Sequence, residues 1–268
     1  MTLGQWLDNA RKQLKAAGIG SAGLDASILA EVALKKSRTW LAAHADYWLE
    51  DKHQKELNRN LRRRVGRQPM AYITGQREFY GLELIVGPDV LIPRPETENM
   101  VEEAAKIAPQ SASVLEIGTG SGCVAVALKT ARQDLQITAT DVSAQALAVA
   151  RKNAAKYKAD IIFLLSDLLD DVQNRFDLIL ANLPYVPEGS RRMVELDFEP
   201  QVALYGGADG LDYYRQFLPE ISAHLTEAGK AIIEAGPTQR RELKLLAENA
   251  GLALKSITEY ISVLSLRT

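Results

Sequence analysis

The sequence predicts an α/β protein whose mostly parallel sheet closes with an antiparallel strand, preceded by a small helical bundle and a β-hairpin. Three observations predict it. From Ser113 onward, short apolar runs alternate with helical periodicity, the pattern of strand–helix–strand crossovers. The last two apolar runs, 253–257 and 260–267, are separated only by Thr258 and Glu259. That link is too short for a parallel crossover, so the two strands must run antiparallel. Residues 1–68, by contrast, read as all-helical.

The helices of this first region follow from their stripes and stops. Thr2 and Gln5 form a capping-box pattern, and Leu3, Trp6, Leu7, Ala10 and Leu14 keep helical spacing until Gly18. A second helix is predicted over Leu24–Leu34, with Leu24, Ile28, Leu29 and Val32 apolar, and a short third over Thr39–Ala45. The fourth runs from about Glu50 to Val65 on a Leu57, Leu61 and Val65 stripe, and Gly66 and Pro69 close it. None of these helices buries its stripe alone, so they are expected to pack as a bundle. Arg59, Arg62, Arg63, Arg64 and Arg67 crowd the end of the fourth helix. They suit a solvated face with cations at a helix C-terminus; a surface for a partner or a nucleic acid is the other reading.

Glu78–Tyr80 and Leu82–Val86 flank Gly81 as a hairpin that Gly87 and Pro88 end, the expected hinge between two domains. Pro95 suits the first turn of a helix beginning Glu96-Thr97-Glu98. Strands are then predicted at 113–117, 136–141, 161–165, 176–182 and 229–234. Helices are predicted at 123–131, 144–157 (capped by Ser143), 210–225 and 238–250. The long connection Val186–Asp209 favours a substrate loop over simple linkage.

Length and composition bound the function. The 268 residues hold one α/β domain and a small second one. The N-terminal residues do not read as a signal peptide, and no apolar run is long enough to span a bilayer. One cysteine, Cys123, excludes an internal disulfide and suits a reducing cytoplasm. It reads as a small buried residue, although a helix N-terminus can activate a thiol. The three histidines are scattered, so no metal site is expected. Residues 1–85 carry 14 Lys/Arg against 9 Asp/Glu, net +5, and the remainder 18 against 25, net −7. The first part is therefore expected to meet an acidic surface.

The chemistry centres on Glu116-Ile117-Gly118-Thr119-Gly120-Ser121-Gly122, a strand running into three glycines and then a helix. Glycines admit the tight turn and close ligand approach, and the helix offers unpaired N–H groups. A dinucleotide fingerprint fits Gly120–Ala125 in its weaker form. The acid-x-Gly-x-Gly-x-Gly spacing instead resembles the first motif of class I S-adenosylmethionine-dependent methyltransferases. Asp141, ending the next strand, suits ribose hydroxyls under either reading. Beyond the fourth strand stands Asn182-Leu183-Pro184-Tyr185, on the edge where open α/β sheets bind ligands. Alone it would read as a turn.

With these residues together, the chain closely resembles the release factor glutamine methyltransferases, the HemK/PrmC family. The resemblance runs through Gln68–Gly75, Arg77–Phe79, Leu91–Glu98, Glu116–Gly122, the Asp141 strand, Ser166-Asp167-Leu168, Asn182–Tyr185 and Glu199–Asp212. It implies a Rossmann-like class I methyltransferase domain over 95–268, a hairpin linker over 76–94 and a helical release-factor-binding domain over 1–75. It also implies methyl transfer from S-adenosylmethionine to the side-chain nitrogen of the glutamine in the Gly-Gly-Gln motif of class I peptide-chain release factors. Gly118, Thr119, Gly120, Ser121, Gly122, Asp141, Asp167, Leu168 and Asn182 would hold the cofactor, with Asp167 at the adenine amino group. Asp167 could also be a simple turn aspartate. Asn182, Leu183, Pro184 and Tyr185 would carry the transfer, Leu183 standing where the family has proline. The C-terminus also departs, lacking a polar loop typical of the family. A cytoplasmic monomer without stable nucleic-acid or membrane binding is expected. Two alternatives remain: an adenine-N6 DNA methyltransferase, which shares the Asn-Pro-Pro-Tyr motif, and a degenerate cofactor-binding adaptor.

Overall fold

The structure, a computed structural model, describes residues 1–190 and 194–267. Arg191, Arg192 and Met193 of the predicted 186–209 connection, and Thr268, lie outside the described residues. The chain forms two compact units. One holds Met1–Gly75 with the 3-10 turn Val194–Phe198; the other holds the rest of the described chain, hairpin included.

In the first unit five helices enclose a core: α1 (Leu3–Ala16), α2 (Ala22–Leu34), α3 (Arg38–Ala43), α4 (Asp51–Val65) and α5 (Met70–Thr74). The capping box of α1 forms in both directions, Thr2 Oγ1 accepting from Gln5 N–H and Gln5 Oε1 from Thr2 N–H. Leu3, Trp6, Leu7, Ala10 and Leu14 are all buried, as predicted. The stripe expected on α2 is corrected. Leu24 and Val32 are exposed, and Ala22, Ala26, Leu29, Ala30 and Ala33 face the core. This helix is apolar almost all round, so periodicity could not choose its inner face, and the alanine side allows close helix approach. α5 escaped the sequence reading because five residues carry no period.

The arginines of α4 match neither expectation as a group. Arg64 is buried, donating to Asp25 at 2.6 Å, with Glu195 at 3.5 Å. Arg67 pairs with Glu195 at 2.9 Å and reaches the Gly18 carbonyl. Arg63 donates to the Gln68 side chain and the Tyr72 carbonyl. Only Arg59 and Arg62 of the five are exposed.

The second unit opens with the hairpin β1 (Gln76–Phe79) and β2 (Leu82–Ile85), followed by α6 (Glu98–Ile107). Then come β3 (Ser113–Ile117), α7 (Cys123–Ala131), β4 (Gln136–Asp141), α8 (Ala144–Tyr157), β5 (Ile161–Leu165) and β6 (Phe176–Ala181). It closes with α9 (Asp212–His224), β7 (Leu225–Glu234), α10 (Arg240–Asn249), β8 (Leu252–Ser256) and β9 (Ile261–Leu266). The seven-stranded sheet has the order β5-β4-β3-β6-β7-β9-β8, with β9 antiparallel to both neighbours. β7 starts four residues before its predicted 229. Its register against β6 shifts between Phe176 and Leu178, and a Cβ at Gly229 would crowd the Phe176 carbonyl there.

Two apolar layers cover the sheet. Val114, Ile137, Leu178 and Leu180 pack with α6 and α7, while Leu115, Ile117, Ile179 and Ile233 pack with α9 and α10. Burial on both faces is why these strands read as continuous apolar runs. Phe79 and Leu84 of the hairpin belong to the first layer. Asn153 of α8, fully buried, exchanges two hydrogen bonds with the Ile85 backbone and donates a third to the Ser121 carbonyl.

Candidate active site

Chain reversal places the site. Crossovers leave β3 toward β4 on one side and β6 toward β7 on the other, and β3 and β6 are neighbours. A crevice therefore opens beyond their carboxyl ends, the topological switch point of an open sheet. A cavity of about 340 Å³ lies there. Of the residues singled out in the sequence, it brings together Gly118, Gly120, Asp141, Asp167, Leu168, Asn182, Leu183 and Pro184.

Gly118, Gly120 and Gly122 all adopt positive φ, between 55° and 78°. Their surroundings among the described residues differ. A Cβ at Gly122 would press on Ala150 of α8 at 3.1 Å, whereas one at Gly120 would meet nothing within 4 Å. Gly122 thus serves helix packing, and Gly120 leaves its backbone open to a ligand. Thr119 and Ser121 are buried and do not line the cavity. Thr119 instead donates its hydroxyl to Glu116 at 2.7 Å, and Ala125 N–H donates to the same oxygen at 3.1 Å. Burial pushes the Glu116 pKa up to about 8.

Asp141 accepts from Gly120 N–H at 2.8 Å and from Ser143 N–H at 2.9 Å. Burial raises its pKa, and those two bonds oppose the rise. Leu168 lines the cavity with φ +44°, a left-handed conformation that leucine takes at a cost. Cys123 reads as structural here, because burial of its thiol pushes the pKa up to about 12.

Asn182 donates through Nδ2 to Thr97 Oγ1 at 3.2 Å. With that nitrogen committed, Oδ1 is the amide atom left for a ligand. Leu183 is only 3% exposed and sits in the sheet core, its Cδ2 3.6 Å from where a Cβ of Gly118 would be. Its side chain borders the cavity without filling it. Tyr185 lies off the cavity, its hydroxyl donating to Glu234 Oε1 at 3.2 Å. Gly206 and Gly210 let a tight loop reach the Pro184 and Tyr185 carbonyls, where any Cβ would collide. Gln239 donates to the Tyr185 carbonyl at 2.8 Å.

Sequence reasoning missed the opposite wall: Val90, Leu91, Pro200, Val202, Ala203 and Tyr213. Glu199, buried, holds that wall by accepting from Ile92 N–H at 2.9 Å and pairing with Arg94 at 2.6 Å. The Leu91–Glu98 and Glu199–Asp212 stretches were visible as motifs, but no single-sequence signal placed them face to face.

The lining also decides between the two cofactor readings. It contains Asp89, Asp141 and Asp167, and neither lysine nor arginine among the described residues. A pyrophosphate would meet carboxylates there, whereas a sulfonium cation with an α-amino group finds complementary charge.

Sheet order, glycine turn and acidic crevice define a class I methyltransferase, a fold shared with solved structures. A methyltransferase from Pyrococcus furiosus superposes with a TM-score of 0.54 at 20% identity, over 69% of this chain and 88% of that one. A family model described as the PrmC N-terminal domain matches residues 5–75, and one described as the methyltransferase small domain matches 97–196. The release factor glutamine methyltransferase of Koribacter versatilis is 39% identical over 88% of this chain and 87% of its own. That of Cereibacter sphaeroides is also 39% identical, over 91% and 89%. The chain belongs to the release factor glutamine methyltransferase family.

Proposed function

We propose that the protein transfers the methyl group of S-adenosylmethionine to the side-chain nitrogen of the glutamine in the Gly-Gly-Gln motif of class I release factors. Asn182 carries this reading: a side-chain amide held by its nitrogen, at the end of β6, offering its oxygen beside an acidic cavity. The cofactor supplies an electrophilic methyl on a sulfonium.

This chain's residues do the rest by placement. A carboxamide nitrogen is a poor nucleophile because its lone pair is delocalised into the carbonyl. Asn182 Oδ1 and the Leu183 carbonyl would accept its two N–H bonds and aim the lone pair at the methyl, with Tyr185 packing on the amide plane. Positioning and charge placement, rather than a strong base, would carry the rate, and the proton lost from the methylated nitrogen would leave to water. Gly118, Gly120 and Leu168 would line the cofactor, Asp141 would hold its ribose and Asp167 its adenine amino group. Thr119, Ser121 and Gly122 would act indirectly, by shaping the turn.

The helical unit, residues 1–75, would dock the release factor, its exposed Arg59 and Arg62 meeting acidic surface, with residues 76–94 as the connection to the methyltransferase domain. No described helix is long and apolar enough to cross a membrane. We infer a cytoplasmic monomer with no stable nucleic-acid binding, supported by the −7 net charge of residues 86–268. The deciding experiment incubates purified protein and labelled cofactor with release factor and, in parallel, with duplex DNA. N5-methylglutamine in the Gly-Gly-Gln peptide is the expected product. Label on adenine, or on neither, would sink the reading.

A further inference from the structure

We propose that Glu234 and Thr97 are positioning residues for methyl transfer, which together fix how the Asn182 amide is turned and where Tyr185 stands. The proposal rests on the release-factor reading above and adds two residues to it.

The sheet itself brings these groups together. Ala181 of β6 is in register with Ile233 of β7, so the next residues, Asn182 and Glu234, leave adjacent parallel strands side by side. Glu234 is 1% exposed and Thr97 2% exposed. A carboxyl group this deep needs a reason to be there, because burying it is costly unless its oxygens are used. One is used: Glu234 Oε1 accepts from the Tyr185 hydroxyl at 3.2 Å. The other, Oε2, has no hydrogen-bond partner among the described residues. The Glu234 backbone is fixed as well, since its carbonyl accepts from the buried Tyr214 hydroxyl. Burial raises the carboxyl pKa, and the Thr97, Tyr185 and Asn182 side chains oppose that rise.

That arrangement sets the polarity of the amide. An asparagine side chain has two nearly isosteric orientations, differing only in which end is NH₂ and which is oxygen. A carboxylate behind it attracts Nδ2 and repels Oδ1. Thr97 supplies the second contact: its Oγ1 accepts from Nδ2 at 3.2 Å. Oδ1 is thereby turned outward as an acceptor. A flipped amide would present NH₂ to the substrate's own NH₂, and neither could accept from the other. The same carboxyl anchors Tyr185, so one buried group orders both polar side chains of the Asn182–Tyr185 motif.

The test uses the full-length protein, purified release factor and labelled cofactor, with Glu234→Gln, Thr97→Val and Thr97→Ser compared to wild type. Glu234→Gln keeps the shape but puts an NH₂ where an acceptor stood; Thr97→Val removes the hydroxyl and keeps the volume. Both should lower kcat by about 10- to 100-fold, as misplaced reacting groups do, with the KM for release factor and cofactor affinity changed by at most about two-fold. Thr97→Ser should restore most of the rate. Wild-type kcat in both Glu234→Gln and Thr97→Val would overturn the inference while leaving the release-factor reading intact. So would a loss of rate that tracks lost cofactor affinity and a lowered Tm, or a Thr97→Ser variant as slow as Thr97→Val. A wild type that methylates no release factor would overturn the reading and this inference together.

Discussion

Asp141 gives one oxygen to Gly120 N–H and the other to Ser143 N–H, and each carboxylate oxygen retains a second acceptor site for a ligand hydroxyl. Charge-assisted bonds contribute about 1.5–3 kcal/mol, so Asp141→Ala should weaken cofactor binding roughly 10- to 100-fold by calorimetry. Unchanged affinity would remove Asp141 from the site. Leu183 tests a different point. The chemistry asks this position for a carbonyl, which leucine supplies as well as proline does, and Pro184 already holds Leu183 extended. Leu183→Pro should therefore change kcat only a few-fold, roughly the effect of fixing one φ. An inactive wild type rescued by that change would point to an adaptor instead. Glu116 predicts a pH dependence of stability. Its folded pKa of about 8 lies above the ordinary glutamate value of 4.5, so the folded state binds the extra proton. Its contribution is present below about pH 4.5 and lost as pH rises toward 8. Glu116→Gln should flatten that part of a Tm-versus-pH curve; an unaltered slope would show that Glu116 does not titrate there. At this scale Gly118, Asp141 and Asn182 were legible because strand ends and glycines mark them. Glu234 and Thr97 were not, since a carboxylate ending an apolar strand and a threonine opening a helix look ordinary until the fold gathers both around the Asn182–Tyr185 motif.

Among the elements, α4 shows why charge runs are ambiguous on paper. Five arginines in nine residues look like one surface, yet Arg64 is buried against Asp25 and Arg67 is paired with Glu195, leaving Arg59 and Arg62 outside. The partner carboxylates lie 39 and 128 residues away in the chain, beyond any local pattern. Removing one member of a buried pair strands the other charge, so Arg64→Met should destabilise the protein by about 3 kcal/mol in denaturant titration. Arg59→Glu with Arg62→Glu should leave stability unchanged within about 0.5 kcal/mol, as exposed substitutions do. The double variant should instead raise the KM for release factor without altering cofactor affinity. If KM holds, the helical unit does not dock through that face. Strands and long helices were readable because burial on both sheet faces and capped periodic stripes are local signals. The inward side of α2 was not, because a helix apolar all round gives periodicity nothing to choose.

For the whole molecule, the +5 and −7 halves make a statement about kinetics. Encounter with an acidic partner is screened once the Debye length falls to about 8 Å near 0.15 M salt. The KM for release factor should therefore rise with ionic strength, while cofactor binding in the proposed cavity should respond far less. Equal salt slopes for both would argue against steering by residues 1–85. The architecture was legible nearly throughout from strand–helix alternation and the short link between the last two strands. The cavity's far wall was not, because Val90 and Val202 come to line one cavity only after the intervening sheet has formed.

The hairpin's second strand also has a consequence for how the molecule opens. Asn153 ties Ile85 to Ser121, while Lys156 and Tyr157 both donate to the Glu83 carbonyl. A breathing motion that carries Asn153 out of place frees the hairpin and the glycine turn at once. In a deuterium-exchange time course, the Ile85 amide and the Gly122 amide, which shares its peptide group with the Ser121 carbonyl, should therefore become labelled together, at the rate of a shared opening rather than that of a fraying edge. Asn153→Ala should release them both, although the two amides lie 37 residues apart in the chain.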